Sequence, residues 1–113
     1  MNQKFALIIG TSDYDDASIS QLNAPAQDVN GFVEVLQSPD IGGFDKVDTS
    51  INKSYAQVQE AIADFFAEKK QDDLLLMYFS GHGILDEQGR LYLAVKNTRR
   101  NRLSVSAISA RPD

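Results

Sequence analysis

The chain has 113 residues, of which 42% are hydrophobic and 24% charged, a formal net charge of −5 and no cysteine. A chain of this length forms one compact domain, because it is too short to bury two cores. The acidic balance argues against nucleic acid as a partner, since binding to phosphates requires clustered Lys and Arg. Without cysteine, the sequence excludes disulfides, thiolate metal clusters and a thiol nucleophile within these residues.

No apolar stretch approaches the length of a membrane span, and the run from Phe5 to Ile9 is too short for a secretory signal. We therefore expect a cytoplasmic protein with no membrane partner.

The first half of the chain predicts a strand, a helix and a second strand. The apolar run from Lys4 to Gly10 is typical of a strand buried on both faces. A polar loop from Thr11 to Ser18 follows, at the sheet edge where α/β proteins tend to bind ligands. Apolar residues at helical spacing then predict a helix from Pro25 to Leu36. Phe44 to Ile51 predicts the second strand.

The next segment predicts a second helix and the most hydrophobic strand. Ser54 and Gln57 have the spacing of a capping box, which predicts a helix from Tyr55 to about Lys70. Lys69 and Lys70 would then lie at the negative end of the helix dipole. The run from Leu74 to Phe79 predicts a central parallel strand.

A hairpin and a short final element complete the predicted order. The segments Ile84–Leu85 and Arg90–Val95 flank a turn at residues 86–89. After a polar, basic loop, Leu103 to Ser109 predicts the start of a third helix. The order indicates an α/β layered domain with a mostly parallel central sheet flanked by helices. We expect this sheet to be incomplete at its C-terminal side, because it resembles the first two thirds of a doubly wound fold.

His82 is the only histidine and lies between Gly81 and Gly83, directly after the most hydrophobic strand. At that position it would project from the carboxyl edge of the sheet, where a general base or acid could act. The glycines allow close approach of a substrate and leave the Gly83 N–H free to point at a developing oxyanion. The alternative is a tight turn that requires the glycines and in which His82 is incidental.

The run from Leu74 to Gly83, ending in Ser-Gly-His-Gly, resembles the histidine motif of the caspase-like cysteine peptidases, especially metacaspases and bacterial caspase-family proteins. Other segments similar to that family occur in the expected order: Phe5–Gly10, Leu22–Val29, Leu91–Leu93 and Ser106–Ser109. The resemblance covers almost the whole chain and implies a caspase-like fold. It also implies a Cys–His dyad that hydrolyses bonds in a peptide or protein substrate.

Carried over residue by residue, the resemblance matches His82 to the catalytic histidine and Gly83 to the glycine that helps form the oxyanion hole. The family's cysteine follows the next central strand and has no counterpart here. The resemblance therefore implies that residues 1–113 are the amino-terminal, large-subunit part of one peptidase domain. Its partner would be a Cys-bearing C-terminal fragment of the same protein, and this chain alone would be inactive.

Asp28 matches the residue that helps line the S1 pocket in the metacaspase branch and selects a basic P1 residue. No Arg occurs in the first half of the chain, which favours Arg or Lys over Asp at P1. The alternative for Asp28 is an acidic residue stabilised by the helix dipole.

The C-terminal arginines either serve surface solubility or are sites where such a protease could process itself: Arg99, Arg100, Arg102 and Arg111.

The acidic loop residues Asp13, Asp15 and Asp16 lack the spacing of a calcium-binding loop, and we interpret them as a solvated rim. We therefore expect no metal and no other cofactor, although some metacaspases respond to calcium.

Two other functions stay open. One is an inactive caspase-homology module that acts in protein–protein interaction or scaffolding. The other is a flavodoxin-like receiver domain, which is disfavoured because the third strand does not end in the required Asp.

One expectation concerns the surface of the isolated chain. Unless another chain completes the sheet, it should expose an apolar edge near Leu74 to Phe79.

Overall fold

A computed structural model describes residues 3–23 and 25–110, with the side chains of residues 25–27 left out of the description. The first five elements alternate between strands and helices: β1 Lys4–Gly10, α1 Pro25–Gln37, β2 Lys46–Ile51, α2 Tyr55–Phe66 and β3 Leu74–Ser80. The later elements are short: β4 Gly83–Leu85, β5 Leu91–Leu93, a 3-10 helix Arg100–Arg102, α3 Leu103–Ser106 and β6 Ile108–Ser109. The predicted α/β class is confirmed.

The main sheet is parallel, with the strand order β2-β1-β3. Leu74–Phe79 forms a parallel strand as predicted, but the prediction that it is central is wrong for the described residues, where β3 lies at the edge and β1 is central. Hydrophobicity reports how much apolar surface a strand carries, and it does not say which strands lie beside it. Leu74 is 52% exposed and Met77 is 46% exposed, so the expectation of an exposed apolar edge is confirmed.

The two faces of β1 are covered by different helices. Ala6 and Ile8 pack against the apolar face of α1, whereas Leu7 and Ile9 pack against α2. This follows from the period of two in a strand, which directs alternate side chains to opposite faces. The result is a layered arrangement in which the carboxyl ends of all three parallel strands meet at one edge.

Helix α2 begins as predicted and ends earlier than predicted. The capping box is present: the Gln57 N–H donates to Ser54 Oγ, and the Ser54 N–H donates to Gln57 Oε1. The helix ends at Phe66, since Ala67 is extended and Glu68 has a φ of 59°. Lys69 and Lys70 therefore lie beyond the helix dipole, and the Lys69 ammonium lies 4.6 Å from the centre of the Phe5 ring.

The predicted hairpin is confirmed, and the predicted third helix begins at Leu103 but is shorter than expected, with a two-residue strand after it. β4 and β5 pair antiparallel, and β6 adds to the other side of β5. The helix that begins at Leu103 ends at Ser106, because Ala107 is extended and Ile108 pairs with Leu93. Strand β2 also begins at Lys46 rather than Phe44. Within the described residues, no helix is long and apolar enough to span a membrane.

Candidate active site

His82 lies at the carboxyl edge of the sheet, in the short turn between β3 and β4. The end of β3 is tied to β1, because the Thr11 N–H donates to the Ser80 carbonyl over 2.9 Å. The turn passes close to its neighbours at Gly81, where an added Cβ would lie 3.0 Å from both the Phe79 ring and the Tyr14 hydroxyl. A side chain at this position would require the Phe79 ring or the Tyr14 side chain to shift by a few tenths of an ångström, so the turn fits closely against both.

The imidazole of His82 is oriented by a backbone carbonyl. Its Nε2 lies 2.9 Å from the carbonyl oxygen of Ser20, which belongs to the loop between β1 and α1. Because a carbonyl oxygen can only accept, Nε2 carries the hydrogen in this bond. The neutral ring then has its lone pair on Nδ1. The half-buried ring is thus held with Nδ1 as its basic nitrogen.

The backbone of His82 is held by a buried tyrosine. The His82 N–H donates to the Tyr14 hydroxyl over 3.0 Å, and that hydroxyl donates to the Thr11 carbonyl over 2.9 Å. The Tyr14 and His82 ring centres are 5.2 Å apart, with the planes tilted by 51°. Burial raises the pKa of Tyr14, an effect that the His82 N–H partly offsets. The Tyr14 hydroxyl therefore stays protonated at neutral pH and can donate.

The strand register directs the Gly83 N–H away from the hairpin. Gly83 is opposite Leu93, and this pair is flanked by the hydrogen bond from the Ala94 N–H to the His82 carbonyl. Gly83 and Leu93 therefore form a non-hydrogen-bonded pair, in which the N–H points outward. Since β4 is the outer strand of its sheet, the Gly83 N–H faces an open edge next to His82. It is available there as a hydrogen-bond donor.

The candidate S1 residue is at the same edge and remains separate from His82. Asp28 lies in the first turn of α1, which follows the loop that leaves the carboxyl end of β1. Its side chain is exposed. Within the described part of the chain, no ion pair or hydrogen bond joins it to His82 or to any cation. Both alternatives for Asp28, a pocket residue and a helix-dipole partner, fit this placement.

A comparison with known protein families gives a match over most of the chain. The model of the caspase domain family matches residues 3–107. The chain belongs to the caspase domain family. The family consists of cysteine peptidases, which are hydrolases that act on peptide or protein substrates. No curated protein shows significant similarity to the chain.

In this caspase domain the acidic loop is engaged with other parts of the chain. Lys96 Nζ and Asp15 Oδ1 are 2.9 Å apart, and this pairing raises the pKa of Lys96. Asp16 accepts the backbone N–H of Arg100 over 2.8 Å, which is the main reason that the pKa of Asp16 is lowered. Asp13 contacts the side-chain amide of Asn52 at 3.4 Å. Within the described residues, no three potential ligands are grouped to hold a metal ion.

The arginines differ in how strongly they are bound to the caspase domain. The Arg100 guanidinium donates to the Ser18 carbonyl over 3.1 Å and to the Ser18 hydroxyl over 3.3 Å. Arg100 is exposed, and its guanidinium is nevertheless held by these contacts within the domain. Arg99 and Arg102 are exposed. Arg111 lies outside the described residues.

Two residues that contact His82 were not singled out from the sequence. Tyr14 and Ser20 contact His82 from more than 60 positions away in the chain, at separations of 68 and 62 residues. Ser20 contributes only its carbonyl, which every residue type has, so no sequence signal marks it. Tyr14 does leave a signal: it is an aromatic residue in an otherwise polar loop directly after a buried strand.

Proposed function

We propose that residues 1–113 form the amino-terminal, large-subunit part of a caspase- or metacaspase-like cysteine endopeptidase, with His82 as the histidine of a Cys–His dyad. The supporting observation is the bond from His82 Nε2 to the Ser20 carbonyl, which leaves Nδ1 as the nitrogen that exchanges a proton. The cysteine would be on a Cys-bearing segment outside this sequence.

In the proposed reaction, His82 Nδ1 takes the proton of the cysteine thiol, and the thiolate sulfur attacks the carbonyl carbon of the substrate. The Gly83 N–H donates to the oxyanion that forms. The imidazolium then gives its proton to the leaving amine, which departs as the C–N bond breaks. Throughout these steps the Nε2–H stays bonded to the Ser20 carbonyl, whose dipole stabilises the positive charge on the ring. Water then hydrolyses the thioester.

We further propose that Asp28 favours Arg or Lys at P1. The three acidic-loop carboxylates already have partners within the domain. Asp28 is exposed at the same edge, and no cation pairs with it in the described part of the chain. A carboxylate without a competing cation can bind the guanidinium or ammonium of a substrate.

The test of His82 uses the complete protein that includes the cysteine. His82→Ala should lower kcat by at least about a hundredfold, because it removes the proton-transfer group. Glu87→Ala, an exposed change in the following turn, serves as the matched control and should leave turnover unchanged. Near-normal cleavage by His82→Ala would exclude the proposed role.

The test of Asp28 uses fluorogenic peptides that differ only at P1. We expect Arg and Lys substrates to be cleaved faster than the Asp substrate. Asp28→Ala should reduce this preference by roughly tenfold or more, the effect of losing a charge-assisted contact. Glu34→Ala removes another exposed carboxylate of α1 and should not change it. Faster cleavage of the Asp substrate by the unmodified protein would overturn the assignment.

Self-processing would follow from the same specificity. Since the Arg100 side chain is held by Ser18, cleavage after Arg99 or Arg102 should precede cleavage after Arg100. Mass spectrometry of the complete protein, with His82→Ala as the uncleaved control, measures the order. Fragments ending first at Arg100 would contradict it.

The alternative is an inactive caspase-homology module that binds other proteins, and the exposed apolar edge of β3 is the observation that favours it. The residue at the nucleophile position of the completing segment separates the two: cysteine supports the peptidase, whereas Ser or Gly supports the module. A cytoplasmic location stays a prediction, which fractionation of cells would test.

A further inference from the structure

We propose that Tyr14 is a positioning residue that holds His82 in the orientation required for proton transfer. This inference rests on the proposed role of His82 and adds a residue that acts through it. Tyr14 is 4% exposed, so it is not placed to contact a peptide substrate. Its hydroxyl nevertheless lies within hydrogen-bond distance of the His82 backbone.

The hydroxyl of Tyr14 joins the ends of the two strands that form the site. It accepts the His82 N–H, which follows β3, and donates to the Thr11 carbonyl, which follows β1. Both bonds have good lengths, 3.0 and 2.9 Å. One hydroxyl therefore satisfies a donor and an acceptor and fixes the distance between the two chain segments.

The Tyr14 side chain also restricts the space around the histidine turn. Its ring packs against the His82 ring, with 5.2 Å between the centres. A Cβ at Gly81 would lie 3.0 Å from the Tyr14 hydroxyl. The turn thus fits closely against Tyr14, and a shift of the tyrosine would be transmitted to the turn.

A second set of contacts connects Tyr14 to the imidazole from the other side. The Tyr14 N–H donates to Gln21 Oε1 over 2.8 Å, and Gln21 Nε2 donates to the Tyr14 carbonyl over 2.7 Å. Gln21 is the neighbour of Ser20, whose carbonyl accepts the His82 Nε2–H. The contacts therefore form a closed circuit that runs from the Tyr14 backbone through Gln21 and Ser20 to the His82 ring, and from the His82 N–H to the Tyr14 hydroxyl.

This circuit has a functional consequence. A rotation of the His82 ring would break the bond to Ser20, and a shift of the turn would break the bond to Tyr14. Holding both fixes the direction of Nδ1 and the position of the adjacent Gly83 N–H. Proton transfer and oxyanion binding require such fixed geometry, because misplacement of the groups by about 1 Å can cost about a hundredfold in rate.

Tyr14→Phe and Gln21→Ala separate the two halves of the circuit. Tyr14→Phe keeps the ring and removes only the hydroxyl. Gln21→Ala removes an exposed side chain and leaves the hydroxyl bond in place. Tyr92→Phe is the matched control, since Tyr92 is a buried tyrosine of the same apolar cluster, and no hydrogen bond of its hydroxyl to His82 is present in the described residues.

The first readout needs no peptidase activity. Because His82 is the only histidine of the chain, its ring nitrogens give one set of NMR signals. Tyr14→Phe should speed hydrogen exchange of the His82 amide by roughly tenfold, the effect expected for losing one hydrogen bond. Gln21→Ala should leave that amide protected and move the two ring-nitrogen shifts toward each other as the imidazole loses its fixed tautomer. Tyr92→Phe should change neither signal.

The second readout is the kinetics of the complete peptidase. Tyr14→Phe should lower kcat by roughly tenfold and leave KM within about twofold, because substrate contacts are untouched. Unchanged His82 signals in Tyr14→Phe, or unchanged kcat in a peptidase that His82→Ala inactivates, would overturn the proposal. If His82→Ala stayed active, the proposed function would fail instead, while the NMR result would still report the contact.

Discussion

Strands β1 and β3 have the same length and pair residue by residue, from Lys4 opposite Leu74 to Gly10 opposite Ser80. They differ in what surrounds them. From Ala6 to Ile9, the residues of β1 are at most 3% exposed, whereas Leu74 is 52% exposed and Met77 is 46% exposed. Within the described residues, β1 has a strand on each side and a helix on each face, whereas β3 has a strand on one side only.

The two strands have different roles because they have different positions in the sheet: β1 mainly stabilises the fold, and β3 mainly leads to the candidate catalytic residue. β1 supplies the core and the loop that carries Tyr14 and Ser20. β3 contributes less buried surface, and its end carries His82. The site thus combines a histidine in the turn that follows the less buried strand with orienting groups in the loop that follows the most buried strand. Substitutions in the two strands should therefore have different effects.

The largest effect should come from the core of β1. Ile8 is fully buried against α1, so Ile8→Ala should lower the free energy of unfolding by about 2–5 kcal/mol. The matched change on the same face of β3, Leu74→Ala, should cost less than about 1 kcal/mol, because its side chain is half exposed. Urea denaturation measures both. Similar losses in the two variants would mean that the β3 edge is covered in solution.

The next effect concerns the end of β3. Gly81→Ala would place a Cβ 3.0 Å from both the Phe79 ring and the Tyr14 hydroxyl, and we expect a loss of about 1–3 kcal/mol from overpacking. Gly31→Ala is the control: its Cβ would meet nothing within 4 Å in α1, and it should stabilise the chain by about 0.5–1 kcal/mol. The midpoint temperature of thermal unfolding should fall in Gly81→Ala and rise in Gly31→Ala, relative to the unmodified chain. A harmless Gly81→Ala would show that the turn has room to move.

The features that could be predicted from the sequence are those that depend on residues close together in the chain. The bounds of β1 follow from a local apolar run, and the start of α2 follows from a capping box between Ser54 and Gln57. Both depend on residues close in the sequence. The edge position of β3 depends on which strands pair, which no local pattern records. The end of α2 at Phe66 was also missed, because Glu68 adopts a positive φ without the glycine that usually marks such a helix end.

The residues of the candidate site also fall into two groups, those that a local pattern predicts and those that only the folded structure brings together. His82 and Gly83 were predicted because a Gly-His-Gly turn after an apolar strand is a local pattern. Tyr14 and Ser20 were not, because their contacts with His82 arise only when β1 and β3 pair. The side-chain contacts of Arg100 with Ser18 likewise join loops that are 82 residues apart. Residue type alone could not show these partners.

A smaller effect should appear as the pH falls. Asp16, in the loop after β1, has a lowered pKa chiefly because it accepts the Arg100 N–H, and Asp86, in the turn after β4, chiefly because it accepts the Arg90 N–H. A lowered folded-state pKa contributes stability above the unfolded value of about 3.9, and this is lost as the pH falls through the folded value.

Asp16→Asn and Asp86→Asn should each flatten the loss of stability between about pH 5 and pH 2. Urea midpoints measured across that range test the prediction. If the urea midpoint of a variant fell with pH as steeply as that of the unmodified chain, the replaced carboxylate would have the same pKa in the folded and unfolded states.

The smallest effect should come from a charge placed on the open edge. Leu74→Lys puts an ammonium on a side chain that is already 52% exposed, and the long lysine stem can still cover the apolar surface beneath it. We expect the free energy of unfolding of the isolated chain to change by less than about 0.5 kcal/mol. Phe79, on the same strand, is partly buried against α2, so Phe79→Lys should be clearly destabilising in the same urea assay. If both lysines were tolerated equally, β3 would contribute little to the core along its whole length. The core would then depend on β1, and the main role of β3 would be to position the turn that contains His82.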